Sequence, residues 1–203
     1  SKNILLILRK SYSAKNLSES SRLLINELFG KYGIVILDAN DKKLKQKLIP
    51  IIKEDVVNQN LHSIISERTE ELSDEFKSQA FVRNINFFNI SEGKRERITK
   101  KVSKDDIENN PEIFSPNVLI RPLYQELILP NISYIGGGSE IAYWMQLKTV
   151  FKYLSIPFPI LVLRNSVMWM EERDLKKWRK LGLKMSDVFR SADDLSKKFI
   201  LDK

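Results

Sequence analysis

Residues 132 to 147, ISYIGGGSEIAYWMQL, constrain the fold more than any other stretch. An apolar, strand-like segment runs straight into three glycines and then into a segment with helical patterning. A second apolar run, FPILVL (158 to 163), follows and is closed by RNS. Strand, crossover helix and strand make a βαβ unit, whose two strands must be parallel and whose crossover is right-handed in nearly all proteins. The chain is therefore expected to be an α/β protein.

The upstream sequence repeats that alternation. Leu17, Leu24 and Leu28 recur with helical spacing over 17 to 29, Asn16 and Glu19 are spaced as a capping pair, and Gly30 and Gly33 end the segment. IVILD (34 to 38) then reads as a buried strand. Residues 41 to 80 read as mostly helical, with a break at Pro50. INFFNI (85 to 90) and RERITKKV (95 to 102) flank a glycine-containing turn and predict a hairpin, with SKDDIENN as a short capped helix behind it. NVLIRPL (117 to 123) is strand-like and leads to a short helix near LYQELIL. The expected organisation is thus a first part of the core over 1–80, a connecting insertion over 81–115, a βαβ core over 116–170, and a polar helical segment over 171–203.

Composition narrows the chemistry. The chain has no cysteine, so disulfides, thiolate nucleophiles and cysteine-bound metals are excluded, and its one histidine, His62, leaves little for a histidine-based metal site or a Ser/His/Asp triad. His62 lies on a predicted helix and reads as an ordinary helical side chain. The apolar runs are too short to span a bilayer, so no membrane segment is expected, and with a start of Ser-Lys-Asn and no Met the chain is expected to be an excised piece of a longer protein. A net charge of +8 suggests an anionic partner without naming it. The basic runs around Lys94 to Lys104 and Lys176 to Lys184 lack interleaved aromatics, so no nucleic-acid partner is expected. KMS (184 to 186) matches an activating loop of class I aminoacyl-tRNA synthetases over only three residues, with no companion motif.

Three polar sites follow apolar segments. Gly136, Gly137 and Gly138, with Ser139 as N-cap and Glu140 behind it, could cradle an anion at a helix start or could form a plain tight turn. The motif lacks the last glycine of G-x-G-x-x-G and the Lys-Ser/Thr of a P-loop. Arg121 can offer a two-pronged donor to a carboxylate or phosphate with Gln125 one turn on, or it can pair with Glu126. Arg164, Asn165 and Ser166 supply donors at the end of the second strand. All three would converge at the ends of the strands, where open α/β sheets bind ligands.

SPNVLIRPLYQELILPNISYIGGGSEIAYWMQLK (115 to 148), with PFPILVLRNS (157 to 166), closely resembles the bacillithiol-biosynthesis cysteine-adding enzyme family, and NLSESSRLLINELFGKYGIVILDANDKKLK resembles an upstream block of it. The resemblance implies a Rossmann-like core of parallel strands and helices with an inserted β-hairpin and helical connecting segment. It implies a cytoplasmic ligase that joins the carboxyl of cysteine to the amine of glucosaminyl malate, as a homodimer held by a coiled coil that this chain lacks. The fragment alone is then expected to be monomeric and inactive. Forming an amide from a carboxylate is uphill in water, so ATP with Mg is the simplest activator, although no residue here shows it. Arg121, Arg164 and the glycine-rich helix start would suit the malyl anion, and Glu140 or Tyr134 would orient the sugar amine or accept its proton. The catalytic residue stays open. The competing reading is a noncatalytic module that binds a nucleotide or another anion through the same turn.

Overall fold

The computed structural model describes residues 2–201. They form two compact units, divided between Arg164 and Asn165. In the first, α1 (Lys2–Tyr12) precedes α2 (Leu17–Phe29), α3 (Lys42–Gln46), α4 (Ile49–Ile52), which continues as a π-helical turn over Lys53–Val57, and α5 (Asn60–Ser73). Strands β1 (Phe87–Ser91), β2 (Lys94–Arg97) and β3 (Phe114–Pro116) form an antiparallel sheet in the order β2-β1-β3, with α6 (Lys104–Asn109) in the connection. Next come α7 (Arg121–Ile128), β4 (Ser133–Gly136), α8 (Gly138–Met145), α9 (Lys148–Tyr153) and β5 (Ile160–Leu163). Strands β4 and β5 pair in parallel, from Ser133 opposite Ile160 to Gly136 opposite Leu163. The βαβ unit and the hairpin are both present, and the fold is α/β as expected.

Local chemistry explains most element boundaries. Asn16 Oδ1 accepts the Glu19 N–H at 2.9 Å, while the Glu19 carboxylate reaches back to the Lys15 N–H at 3.2 Å. Ser103 caps α6 by accepting the Asp106 N–H at 3.0 Å. Gly33, with φ of 75°, supplies the left-handed turn after α2. In the second unit, α10 (Glu172–Lys180), a 3-10 turn (Met185–Phe189) and α11 (Ala192–Leu201) follow one another. KMS falls at the start of that turn, where the Lys184 N–H donates to the Asp187 carboxylate at 2.8 Å.

Two segments differ from expectation. IVILD is extended but unpaired, and Ile34, Val35 and Leu37 are exposed, because no described strand lies alongside to complete a ladder. NVLIRPL is not a strand: the chain leaves β3 at Pro116, Asn117 turns it, and Arg121 already opens α7. The reason is a side-chain cap. Asn117 Oδ1 accepts the N–H groups of Leu119 at 2.9 Å and Ile120 at 3.1 Å, which favours a helical turn over a strand continuing from β3.

The core lies where α4, α5, α7, α8 and α9 meet β1 and β3. Leu48, Ile52, Leu61, Ile65, Phe87, Phe114, Leu123, Trp144 and Phe151 are buried there. Tyr134 stacks on Trp144 with ring centroids 4.2 Å apart, and Trp144 continues the aromatic packing through Phe151 and Phe158. This anchors the inner face of the parallel pair to the core. The other face, with Ile135, Ile160 and Val162, is exposed.

Among the buried charged groups, Lys45 and Asp55 tie elements of the first unit together. Lys45 donates to the Phe114 carbonyl at 2.5 Å and ties α3 to β3; burial holds its ammonium below the usual lysine range. The Asp55 carboxylate, on the π-helical turn, accepts the Asn86 N–H at 2.6 Å and the Asn86 side-chain N–H at 2.9 Å. Asn86 in turn receives Asn117, whose side chain donates to Asn86 Oδ1 at 2.9 Å and whose backbone N–H donates to the Asn86 carbonyl at 2.8 Å. A continuous polar relay thus runs from a buried acid to the turn that leads into α7.

Burial pushes the Asp55 carboxyl up to about 6 from 3.8, against the pull of its Asn86 hydrogen bonds. A raised folded-state pKa gives stability that is complete below 3.8 and is lost as pH rises through about 6. Relative to Asp55→Asn, whose constant offset drops out, the native chain should lose up to about 3 kcal/mol across that window. Denaturant titrations of both proteins between pH 3.5 and 7 check this; parallel profiles would refute it.

Candidate functional site at the glycine turn

β4 ends at Gly136 and α8 begins at Gly138, so Gly137 is the N-cap, with φ −68° and ψ 166°. Ser139 is therefore the second helical residue and not the cap expected from the sequence. None of the three glycines has a positive φ, so chain handedness does not require them. Space requires Gly136, and at Gly137 a side chain would have to push the Arg164 guanidinium aside. A Cβ on Gly136 would lie 2.7 Å from Tyr134 Cε1 and 3.2 Å from the Cβ of Glu140, and one on Gly137 would lie 3.2 Å from Arg164 Nη2. A Cβ on Gly138 would meet nothing within 4 Å.

The helix start is partly filled by its own carboxylate. Glu140 Oε2 accepts the Gly137 N–H at 2.8 Å, and Glu140 Oε1 accepts the Tyr134 hydroxyl at 3.1 Å. Gly137 has no side chain to return the bond, so only half of a capping box forms. The Gly137 N–H holds the Glu140 carboxyl below its usual range, helped by Tyr134 and by the positive charges of Arg164 and Arg121. Desolvation pushes the Tyr134 phenol up to about 12, with Tyr143 and Glu140 adding to it. Glu140 is thus an anion and Tyr134 a neutral donor at physiological pH. A depressed carboxyl is a weak base.

Arg164 lies just beyond β5, where its backbone N–H donates to the Gly136 carbonyl at 2.8 Å and joins the two strand ends. Its guanidinium packs over Gly137 and acts on Glu140. Arg121 is the first residue of α7, with Pro122 second, and its charge also reaches Glu140 and Tyr143. Neither arginine forms an ion pair among the described residues. Pairing of Arg121 with Glu126 does not occur. Glu126 is buried and spent on Asn131, accepting its backbone N–H at 2.8 Å and its side-chain N–H at 3.0 Å. Gln125 is half-buried one turn from Arg121 and donates to Glu126 at 3.2 Å.

The structure therefore gathers Arg121, Tyr134, Gly136, Gly137, Glu140 and Arg164 around one turn, with the Gly138 and Ser139 N–H groups at the front of α8 making no bond among the described residues. Asn165 and Ser166 belong to the second unit, so the site within the first unit ends at Arg164. Behind the turn lies an apolar cavity of about 320 Å³, lined by Leu72, Phe76, Ile141, Met145 and Leu163 among others. Sequence reading missed Asn117 and this cavity, because they come from elements joined only by folding. Among the described residues no group of three or more acidic or histidine side chains could hold a metal ion, and no helix is long and apolar enough to cross a membrane.

Comparison with known proteins identifies relatives over the same stretch. Residues 1–165 match the family described as "Bacillithiol biosynthesis BshC, N-terminal Rossmann-like domain". The chain is 45% identical over 196 residues to a protein of Flavobacterium johnsoniae and 42% identical over 190 residues to one of Flavobacterium psychrophilum. A more distant relative from Staphylococcus aureus is 28% identical over 186 residues. Each is named "Putative cysteine ligase BshC". The alignments cover 89%, 86% and 82% of this chain but 37%, 36% and 35% of those proteins, so the chain spans little more than a third of their length.

The packing around the turn separates its glycines. Gly136→Ala drives a methyl into the Tyr134 ring, which stacking on Trp144 holds in place, and should cost about 1–3 kcal/mol. Gly138→Ala meets open space at the front of a helix and should leave stability unchanged or slightly raised. Thermal melts of the two variants check the order; equal losses would show that the close approach at Gly136 is not what the turn requires.

Proposed function

The chain belongs to the bacillithiol-biosynthesis BshC N-terminal Rossmann-like domain family, and on that footing we propose that it supplies the substrate-holding turn of a ligase that joins cysteine to glucosaminyl malate. The observation that carries this reading is the Glu140 carboxylate, bonded to the Gly137 N–H and the Tyr134 hydroxyl and within the field of Arg164 and Arg121, neither of which forms an ion pair among the described residues. An anion alone would be repelled by Glu140. A ligand carrying both carboxylates and an amine matches the whole arrangement, and glucosaminyl malate is of that kind.

In this reading the malyl carboxylates lie against Arg121 and Arg164, reinforced by the N–H groups of Gly138 and Ser139. The sugar amine faces Glu140, and the Tyr134 hydroxyl keeps that carboxylate oriented. Gln125 and Ser139 border the same polar rim. The amide forms when the amine attacks the cysteine carboxyl carbon and an activated oxygen leaves, so the carboxyl must first be activated. ATP with Mg would supply that activation; the free N–H groups of α8 and Arg164 have the donor chemistry to hold a phosphate as well as a carboxylate. The remaining length of the protein is proposed to carry the coiled coil that pairs two copies, and synthesis of a small intracellular thiol places the enzyme in the cytoplasm.

In the full-length protein, Arg164→Ala and Arg121→Ala should each lower kcat/KM for cysteine addition by roughly a hundredfold, the loss of about two charge-assisted hydrogen bonds. Arg68→Ala, which removes an α5 arginine paired with Glu71, should leave it intact. Mass spectrometry of the product measures all three. Unchanged turnover in both site variants would separate this turn from the reaction.

A further inference from the structure

A second cavity, of about 590 Å³, lies away from the glycine turn, between the start of α5 and the base of the hairpin. Its lining includes His62, Phe81, Arg83, Arg97 and Thr99, and contains no carboxylate. Neither Arg83 nor Arg97 forms an ion pair among the described residues. Both guanidiniums rest on aromatic rings instead, Arg83 5.0 Å from the Phe81 centroid and Arg97 4.8 Å from that of Phe88. Stacking fixes an arginine without using its N–H donors.

The α5 helix adds to this field. Its N-cap, Gln59, lines the cavity, sits at a φ of 56° and makes no side-chain cap bond. The leading N–H groups of a 14-residue helix are therefore left without a side-chain acceptor from that residue at the mouth of the cavity. The acid nearest that helix start, Glu54, is spent on Asn58, Asn60 and Tyr153 and is not part of the lining. Glu96, next to Arg97 on β2, is not part of this lining; it faces a neighbouring cavity that Arg97 also borders. Phe81 is 76% exposed, an apolar platform beside the cations.

From this convergence we propose that the cavity between α5 and the hairpin is a second anion site, separate from the glycine turn, that takes a phosphate monoester bearing a flat ring. The phosphoryl oxygens accept from Arg83, Arg97 and the imidazole of His62, and the ring lies against Phe81. Two stacked guanidiniums, an uncapped helix start and a lining free of carboxylate together select a dianion, and the exposed aromatic selects a ring attached to it.

His62 is the chain's one histidine, so its imidazole proton resonances report on this cavity alone. The test is a titration of the chain with phenyl phosphate, with inorganic phosphate in parallel. The His62 signals should shift saturably, with phenyl phosphate binding several-fold more tightly. Arg83→Gln and Arg97→Gln should each weaken binding on the order of tenfold, while Arg121→Gln with Arg164→Gln should not. Circular dichroism melts establish that each variant is folded. No shift at 10 mM ligand, or a shift that survives in the Arg83→Gln/Arg97→Gln double variant, overturns the site. So does a shift lost only when Arg121 and Arg164 are replaced, and equal affinity for the two ligands removes the role of Phe81.

Discussion

One buried carboxylate governs how the two halves of the first unit meet. Asp55 is fully enclosed and has no cation against it; its compensation comes from two N–H groups of Asn86. Burying a charge is costly unless its hydrogen bonds are met, so the segment carrying Asn86 must dock in one register. Asn86 then fixes Asn117 through two further bonds, Asn117 caps the turn before α7, and the Arg121 N–H donates to the Asn117 carbonyl at 2.9 Å. Position passes along this relay from the helices, through the inserted sheet, to an arginine of the candidate site.

The glycine turn shows a second constraint, in which packing and function share the same atoms. Gly136 and Gly137 make room for Tyr134 and Arg164, and Glu140 takes the first N–H that a free anion would use. A helix start without Glu140 would attract any anion. With it, the proposed ligand is one that brings a positive group along with its carboxylates, as an amino compound does.

Much of this was legible in the sequence where the signal is local. The βαβ pattern, the hairpin, the Asn16 and Ser103 caps and the convergence of Arg121 and Arg164 on the glycines depend on spacing within about 50 residues of chain. Other features were not legible. IVILD has the composition of a buried strand, but composition cannot state whether a neighbour will pair with it. NVLIRPL looked like a strand until Asn117 supplied a cap, and nothing in its own residues shows that Asn86 will hold that cap. Asp55 resembles any other acid in a polar helix, and His62 any other helical histidine. Their roles arise from segments about 20 or more residues away, which only the fold brings near.

The account stands on the claim that the Asp55–Asn86–Asn117 relay seats Arg121 for ligand binding. The most direct measurement is calorimetric titration of glucosaminyl malate into the full-length protein, comparing Asn117→Ala with Ser103→Ala. The latter removes a cap of similar strength, about 1 kcal/mol, from α6. The account predicts that Asn117→Ala weakens binding on the order of tenfold, a loss near that of one charge-assisted hydrogen bond, while Ser103→Ala leaves it unchanged. Equal affinity in the two variants would contradict it.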